Sequence, residues 1–322
     1  MNCPLCKKTK LNILERDLFD DRYGYPGKFS IHQCSNCHLG QTLPRLRKRK
    51  IPQIYNRYYA IHNKSPEQVA NSVSSSNKII RWLCGTDNVA HLYANPGENV
   101  LDIGSGSGVS LLEIHNLKAV GFGVEPDPSA QAISKKLGLK NVFEGEITQN
   151  PFPSTKFNLV TASQVIEHVL DPVSFVQTAK RKLKPKGKII ISTPNLDSLA
   201  RKALGHKWLH WHVPFHQNYF TLKSLVRLAK TNNLIITKVR TITPNLWTLL
   251  QVRSLFKRAK YGVPSSIWNS QLSSRSHGDS NPAQAIYKLA TWVFLIACIP
   301  LNRLVDLLGL GESWLIFLET DR

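Results

Sequence analysis

Two acids and three glycines carry the chemistry legible in this chain. Val100-Leu101-Asp102-Ile103 reads as an apolar strand bearing a carboxylate, and Gly104-Ser105-Gly106-Ser107-Gly108 follows as a bend with little side chain. Glycines at alternate positions let the backbone turn with positive φ and meet a ligand without a Cβ in the way. The helix expected from Val109 to Leu117 then offers unpaired N–H groups at its start. Asp102 stands where a dinucleotide fingerprint has an apolar residue; a carboxylate there repels a pyrophosphate but suits a cofactor with an ammonium and a sulfonium. Glu125 ends the next apolar strand, Val120 to Val124. It lies about 20 residues past the bend, the distance at which an acid accepts both ribose hydroxyl hydrogens. The competing reading of Glu125 is a solvated strand end. The bend also lacks the last glycine of G-x-G-x-x-G. Together these features favour S-adenosylmethionine over NAD.

Further motifs follow in order: Gly145-Glu146-Ile147, Phe157-Asn158-Leu159-Val160, Val165-Ile166-Glu167-His168-Val169, Leu183-Lys184-Pro185-Lys186-Gly187-Lys188 and Ile191-Ser192-Thr193-Pro194-Asn195. From Asn99 to Val239 the series resembles class I S-adenosylmethionine-dependent methyltransferases, in the small-molecule branch that includes ubiquinone-type O-methyltransferases. The resemblance implies an α/β fold with a Rossmann-like seven-stranded sheet and helices on both faces. It places Asp102, Gly104, Ser105, Gly106, Gly108, Glu125 and Pro126 against the methyl donor. Glu146 and Ile147 would read its adenine, and Ser163 would close the site from the fourth strand. Asn158 replaces a common Asp, with small consequence because that residue usually faces away from the cofactor. Some ubiquinone-type enzymes carry Glu-x-x-Glu-His and bind magnesium there. Here the first position is Gln164, which removes a charged oxygen from a hard-cation site, so no magnesium site is expected.

Methyl transfer from a sulfonium is an in-line displacement, for which the protein supplies orientation and, for an oxygen or carbon nucleophile, a base. Histidine is the commonest base. His168 lies at the mouth of the fourth strand, and His206, His210, His212 and His216 follow the fifth. Ligands of open α/β sheets bind at that C-terminal edge. His216 is the first candidate and His212 the second, with structural histidines as the competing reading.

The N-terminus must be organised differently. Cys3-Pro4-Leu5-Cys6 and Cys34-Ser35-Asn36-Cys37 are two C-x-x-C knuckles holding four of the six cysteines. Four thiolates close a tetrahedral zinc site with no open position, and such a metal substitutes for a core too small to hold itself. A disulfide pair is the alternative. The absence of an apolar leader and the paired cysteines favour a reducing cytoplasm. Cys84 and Cys298 sit among apolar residues and read as core thiols.

With 322 residues and 42% hydrophobic content the chain has material for about two domains. The expected units are a zinc ribbon at 1–44, a helical linker or lid at 45–98, a cofactor-binding core at 99–243, a helical and partly apolar insertion at 244–312, and a last antiparallel strand at 313–322. Within the linker, Tyr55, Tyr58 and Tyr59 could line the cleft or simply pack. Within the insertion, Pro244 to Lys260 reads as a basic amphipathic helix and Ser265 to Pro282 as a mobile loop. Ala285 to Leu301 is strongly apolar but falls short of the roughly 20 residues that span a bilayer. It could lie in a membrane interface or form a cap buried against the protein.

The formal charge of +21 suits nucleic acid, anionic lipid or a phosphorylated substrate, or reflects solvated faces. The reading that follows is methyl transfer to oxygen or carbon of a small molecule, or of a glycan or lipid-linked precursor. The expected location is cytoplasmic, peripheral to the inner face of a membrane in the lipid-facing version. An RNA methyltransferase, gripping phosphates with ribbon and basic surface, is the alternative. Thr161-Ala162-Ser163-Gln164 stands where base-methylating enzymes of one class carry an Asn/Asp-Pro-Pro-Tyr/Phe loop. A cofactor-binding fold kept only as an interaction module is the non-enzyme reading, and the intact Asp102, glycines and Glu125 speak against it.

Overall fold

A computed structural model describes residues 2–58, 65–74, 77–257, 259–267 and 282–320. The chain opens with three short strands, β1 (Leu11–Leu18), β2 (Phe29–Cys34) and β3 (Gly40–Leu43). Helices α1 (Ile51–Tyr58), α2 (Pro66–Ala70) and α3 (Lys78–Cys84) follow. Ser65 caps α2 through a reciprocal pair with Gln68, which satisfies two otherwise unpaired N–H groups.

The central sheet then builds from β4 (Asn99–Ile103), β5 (Val120–Glu125), β6 (Val142–Glu144), β7 (Phe157–Ser163), β8 (Leu183–Pro194), β10 (Leu234–Ile242) and β11 (Ser313–Thr320). In space the order is β10-β11-β8-β7-β4-β5-β6. β6, β5, β4, β7 and β8 run parallel; β11 is antiparallel to both β8 and β10. This is the expected seven-stranded architecture. Strands covered on both faces are apolar throughout, and Val100, Leu101, Leu159, Val160, Ile190 and Ile191 are all buried.

Helices α4 (Val109–Asn116), α5 (Pro128–Lys136), α6 (Pro172–Arg181), α7 (Leu199–Leu204) and α8 (Leu222–Thr231) connect these strands. Asp127 and Asp171 cap α5 and α6, each followed by proline in the first turn, the arrangement that starts a helix at a fixed residue. α8 buries Leu225, Leu228 and Ala229 on one side and exposes Lys223, Arg227 and Lys230 on the other, as spacing by three and four residues requires.

The ribbon joins the core. A two-residue strand, β9 (Asn218–Tyr219), pairs with β3 and gives a second sheet of order β1-β2-β3-β9. Cys3, Cys34, Cys37 and Leu39 belong to the same apolar cluster as Phe220 and Leu225.

The C-terminal insertion departs from expectation in three places, and α3 in a fourth. Helix α9 (Asn245–Phe256) is not amphipathic: it buries Leu249 and Leu250 but exposes Leu246, Leu255 and Phe256. Apolar side chains therefore point to both the protein and solvent. The apolar segment is longer than the sequence suggested. Pro300 does not end it but occupies the first turn of α11 (Ile299–Leu307), which continues α10 (Pro282–Ala297). The 23 residues Ala285–Leu307 are long and apolar enough to cross a membrane by length and composition. Nor is this segment a buried cap: Ile286, Leu289, Trp292, Val293 and Ile296 are all exposed. Finally, Cys84 is exposed at the end of α3, whereas Cys298 is buried. Most of the expected loop from Ser265 to Pro282, with Trp268, and also Tyr59 lie outside the described residues.

Candidate active site

At the C-terminal edge of the sheet, Gly104, Gly106 and Gly108 adopt φ of +78°, +54° and +94°. A Cβ on Gly106 would meet nothing, so the bend faces open space there; one on Gly108 would meet Leu139 Cδ1 at 2.5 Å. Asp102 is buried, and its Oδ1 accepts from Thr161 Oγ1 on the neighbouring strand at 2.6 Å. Glu125 closes the other side. Its Oε2 accepts from the Gly106 N–H and its Oε1 from the Asp127 N–H, each at 2.8 Å. Burial raises this carboxyl to about 7, aided by the charges of Asp127 and Asp102 and opposed by the two N–H groups. Ser105 Oγ is buried without a hydrogen-bond partner among the described residues. An open bend, an orphaned hydroxyl and two buried acids fit a cationic adenosyl amino acid.

The other donor-side residues are spread more widely. Pro126 is exposed just beyond Glu125. Ile147 is buried, while Glu146 is exposed and lies 3.9 Å from Lys48 Nζ of the linker. Ser163 Oγ accepts from the Ala90 N–H at 2.8 Å, so that hydroxyl anchors the segment preceding β4. Asn158 Oδ1 accepts from the Asn99 N–H and from Lys184 Nζ, both at 3.0 Å.

The same sheet edge holds a histidine cluster. Ring centroids of His168 and His216 are 4.8 Å apart, and those of His212 and His216 4.9 Å. His212, at φ +37°, stacks on Phe215. His216 Nδ1 lies 2.9 Å from the His210 carbonyl oxygen, and His168 Nδ1 lies 3.1 Å from that of Phe215. Desolvation holds His168 down to about 4 and pushes His212 and His216 well below the usual imidazole range, with the positive charge of Arg22 contributing. All three are therefore neutral at pH 7, which suits a proton acceptor and also a buried structural ring. His210 sits against Trp247 and 3.6 Å from Glu312, and His206 is exposed. Beside His168, Glu167 Oε2 accepts from Thr193 Oγ1 at 3.0 Å, and burial raises its carboxyl to about 8.

Several residues of this wall had no signal in their own sequence neighbourhood. Asp20 accepts from the N–H groups of Arg22, Tyr23 and Tyr25 and shapes the loop between β1 and β2. That loop brings Tyr23 to 5.5 Å from His212 and 5.3 Å from Phe215, ring to ring. Arg22 donates to the Leu209 carbonyl at 2.6 Å. Two tyrosines that the sequence did single out meet them: Tyr55 of α1 reaches over the cluster, its hydroxyl 2.9 Å from His168 Nδ1, while Tyr58 packs on Tyr25.

In the ribbon, the Sγ atoms of Cys3 and Cys37, and of Cys6 and Cys34, are 3.5 Å apart, and all four lie within 4.8 Å of one another. These are free thiols, too far apart for disulfides. Zinc–sulfur bonds of about 2.3 Å set tetrahedral sulfurs about 3.8 Å apart, so the cluster has the dimensions such an ion needs.

Residues 77–239, just over half of the chain, match a family model described as a methyltransferase domain. Among curated proteins, the ubiquinone biosynthesis O-methyltransferase of Bradyrhizobium diazoefficiens is 30% identical over 161 residues, covering 47% of this chain and 64% of that protein. The mitochondrial enzyme of the same name from Schizosaccharomyces pombe is 32% identical over 113 residues, covering 33% and 41%. The chain thus spans less than two thirds of these relatives. The solved structure of the [4+2]-cyclase SpnF is similar in fold, with a TM-score of 0.52 at 13% identity, over 86% of this chain and 98% of that one. With the donor bend, its acids and this family match in hand, the chain belongs to the methyltransferase domain family.

Proposed function

We propose that the chain methylates a hydroxyl or acidic carbon of a small molecule, or of a glycan or lipid-linked precursor. The observation that carries this reading is that the donor bend and the histidine cluster occupy one edge of one sheet. S-adenosylmethionine, when bound, supplies an electrophilic methyl on a sulfonium. Asp102 holds its ammonium group, and Glu125 accepts from its ribose hydroxyls. Gly104, Ser105, Gly106 and Gly108 admit its main body, Glu146 and Ile147 read the adenine, and Pro126 and Ser163 complete the rim.

On the acceptor side, His168, His212 and His216 offer neutral imidazoles, kept so by burial. One of them takes the acceptor's proton as the nucleophile attacks. Tyr55, Tyr23 and Phe215 wall the cluster and limit the water that could compete for that proton. A zinc ion on Cys3, Cys6, Cys34 and Cys37 closes the ribbon and has no place in the chemical step, because four thiolates leave it no open position.

A lipid-linked acceptor is favoured by the C-terminal helices. α10 and α11 expose Ile286, Leu289, Trp292, Val293, Leu304 and Leu307 in one stretch, with Lys288 exposed among them. Apolar and aromatic residues with interspersed cations suit an anionic membrane interface. On this reading the enzyme works at the membrane surface.

The test uses methyl-labelled donor with cell extract and the full chain. Label in the organic-soluble or small-molecule fraction, lost in His212→Ala and His216→Ala, supports the proposal. Label in RNA instead would replace it with the nucleic-acid alternative.

A further inference from the structure

Helix α3, in the linker far from the C-terminal insertion in sequence, leaves Ile79, Ile80 and Trp82 exposed, Ile79 by 69%. It lies against α11. Arg303 of α11 donates to the Trp82 carbonyl, and its guanidinium carbon sits 6.0 Å from the centre of the Trp82 ring. Arg303 Nη2 also donates to the Thr243 carbonyl and lies 3.0 Å from Asp306 Oδ2. Asn245 of α9 donates to the Leu83 carbonyl at 2.9 Å and accepts from Asn302 Nδ2 at 3.0 Å. These bonds tie α3, α9 and α11 into one block, and α10 joins it where Arg253 Nη2 donates to Thr291 Oγ1 at 3.2 Å. We propose that α3, clasped to α11 by Arg303, forms with α10 and α11 a single face that docks on an anionic bilayer from one side, without crossing it. The inference rests on the membrane-surface reading of α10 and α11 and adds to it a helix of the linker that leads into the donor site.

Charge selects the occupant of this face. Within α3, α9, α10 and α11 the sole acid is Asp306. It is turned inward onto Arg303 and onto Thr243 Oγ1 at 2.7 Å. Lys78, Lys257 and Lys288 are exposed. Apolar side chains bordered by cations, with no outward acid, match a surface of anionic lipid. A second copy of the chain matches poorly. In a two-fold contact the same patch meets itself, which sets one cationic border against another.

Polar bonds decide against a crossing. Asn302, Arg303 and Asp306 all fall within the apolar stretch Ala285–Leu307, and all three are bonded to neighbouring elements of the protein. A crossing helix would break those bonds and carry an arginine and an acid into hydrocarbon, where each is costly. A docked helix keeps them and offers lipid only its outer side. The face also reaches the donor site through a braced segment. α3 ends at Gly85, whose φ is +74° and where a Cβ would strike the Thr243 carbonyl. The chain then runs to Ala90, whose N–H donates to Ser163 Oγ.

The experiment measures partition of the full chain onto vesicles of phosphatidylglycerol and phosphatidylcholine. Wild type is compared with Ile79→Glu plus Ile80→Glu and with Leu289→Glu plus Trp292→Glu, thermal midpoints serving as the check on folding. At least about tenfold weaker partition is expected in both double variants. Brominated phosphatidylcholine in the vesicles should quench the fluorescence that wild type shows in excess of Trp82→Phe, and alkaline carbonate should release all bound protein. Undiminished partition of the α3 variant, or unquenched Trp82, overturns the inference and leaves the membrane reading of α10 standing. Partition unchanged in both double variants removes that reading as well. Protein retained after carbonate shows a crossing helix, and self-association without vesicles that the α3 variant abolishes assigns the face to a second copy; either result overturns the proposal.

Discussion

Thr42 Oγ1, on the last ribbon strand, donates to the main-chain carbonyl of His216 at 2.5 Å and lies 3.0 Å from the Tyr219 hydroxyl. The ribbon therefore holds the histidine wall from behind. Arg45 adds a second tie, donating to the Leu170 carbonyl at 2.8 Å.

Thr42→Val keeps the side-chain shape and removes the donor. The His216 carbonyl then keeps the longer contact from the Tyr219 hydroxyl at 3.4 Å, and loss of the shorter bond costs about 1 kcal/mol. Denaturant midpoints should fall accordingly, and methyl transfer should drop while S-adenosylmethionine affinity, set by the Gly104–Gly108 bend and its acids, stays the same. Equal losses in both would place Thr42 in general folding and not in the acceptor wall.

Metal removal should act through the same contacts. The four-cysteine cluster shares its apolar surroundings with Phe220 and Leu225, so chelation loosens β3 and with it β9. Structural zinc sites contribute folding free energy outright. We expect chelated protein, or Cys37→Ala, to lose most methyl transfer and to show a lower thermal midpoint, with one zinc per chain recovered by elemental analysis of the wild type. Full activity in zinc-free protein would contradict this.

Donor affinity should depend on pH through Glu125. With its carboxyl raised to about 7, the free protein holds a proton there below that pH. Ribose hydroxyls donate to the ionised form, so binding releases the proton and affinity weakens by up to about tenfold per pH unit below 7. Without donor the linkage has the opposite sense: a raised carboxyl favours folding at low pH, and that contribution fades as pH climbs from the ordinary carboxylate range through about 7. Calorimetry in buffers of different ionisation enthalpy counts the released proton. Glu125→Gln should flatten the profile.

The exposed helix pair makes a separate prediction. Wild-type protein should partition onto anionic vesicles more strongly than onto neutral ones. Leu289→Glu with Trp292→Glu should weaken that partition at least about tenfold, since each side chain contributes about 2 kcal/mol of apolar transfer. Equal partition of variant and wild type would remove α10 from the interface.

The donor half of this site was legible because its parts are local. Asp102, the bend and Glu125 lie within one strand-helix-strand unit, where spacing alone decides geometry. The two knuckles were legible for the same reason. Of the acceptor wall, the histidines and Tyr55 stood out by residue type and place, but Arg22 and Tyr23 did not. Arg22 meets the Leu209 carbonyl and Tyr23 meets His212 where β9 joins the ribbon sheet, a pairing of two residues that no periodicity announces. The reach of the apolar segment was missed because Pro300 looks like a stop. In the first turn of a helix its missing N–H costs nothing, and the segment runs on to Leu307. Cys84 was misplaced because its apolar neighbours Ile79, Ile80 and Trp82 are themselves exposed.

The central claim is that two carboxylates flanking the Gly104–Gly108 bend receive a cationic methyl donor. Calorimetric titration of S-adenosylmethionine into wild-type protein and Asp102→Ala tests it most directly. One site per chain in the wild type, weakened at least about tenfold in the variant by loss of a charge-assisted contact, is the predicted result. A wild type that binds no donor, or a variant that binds it equally well, would contradict the account.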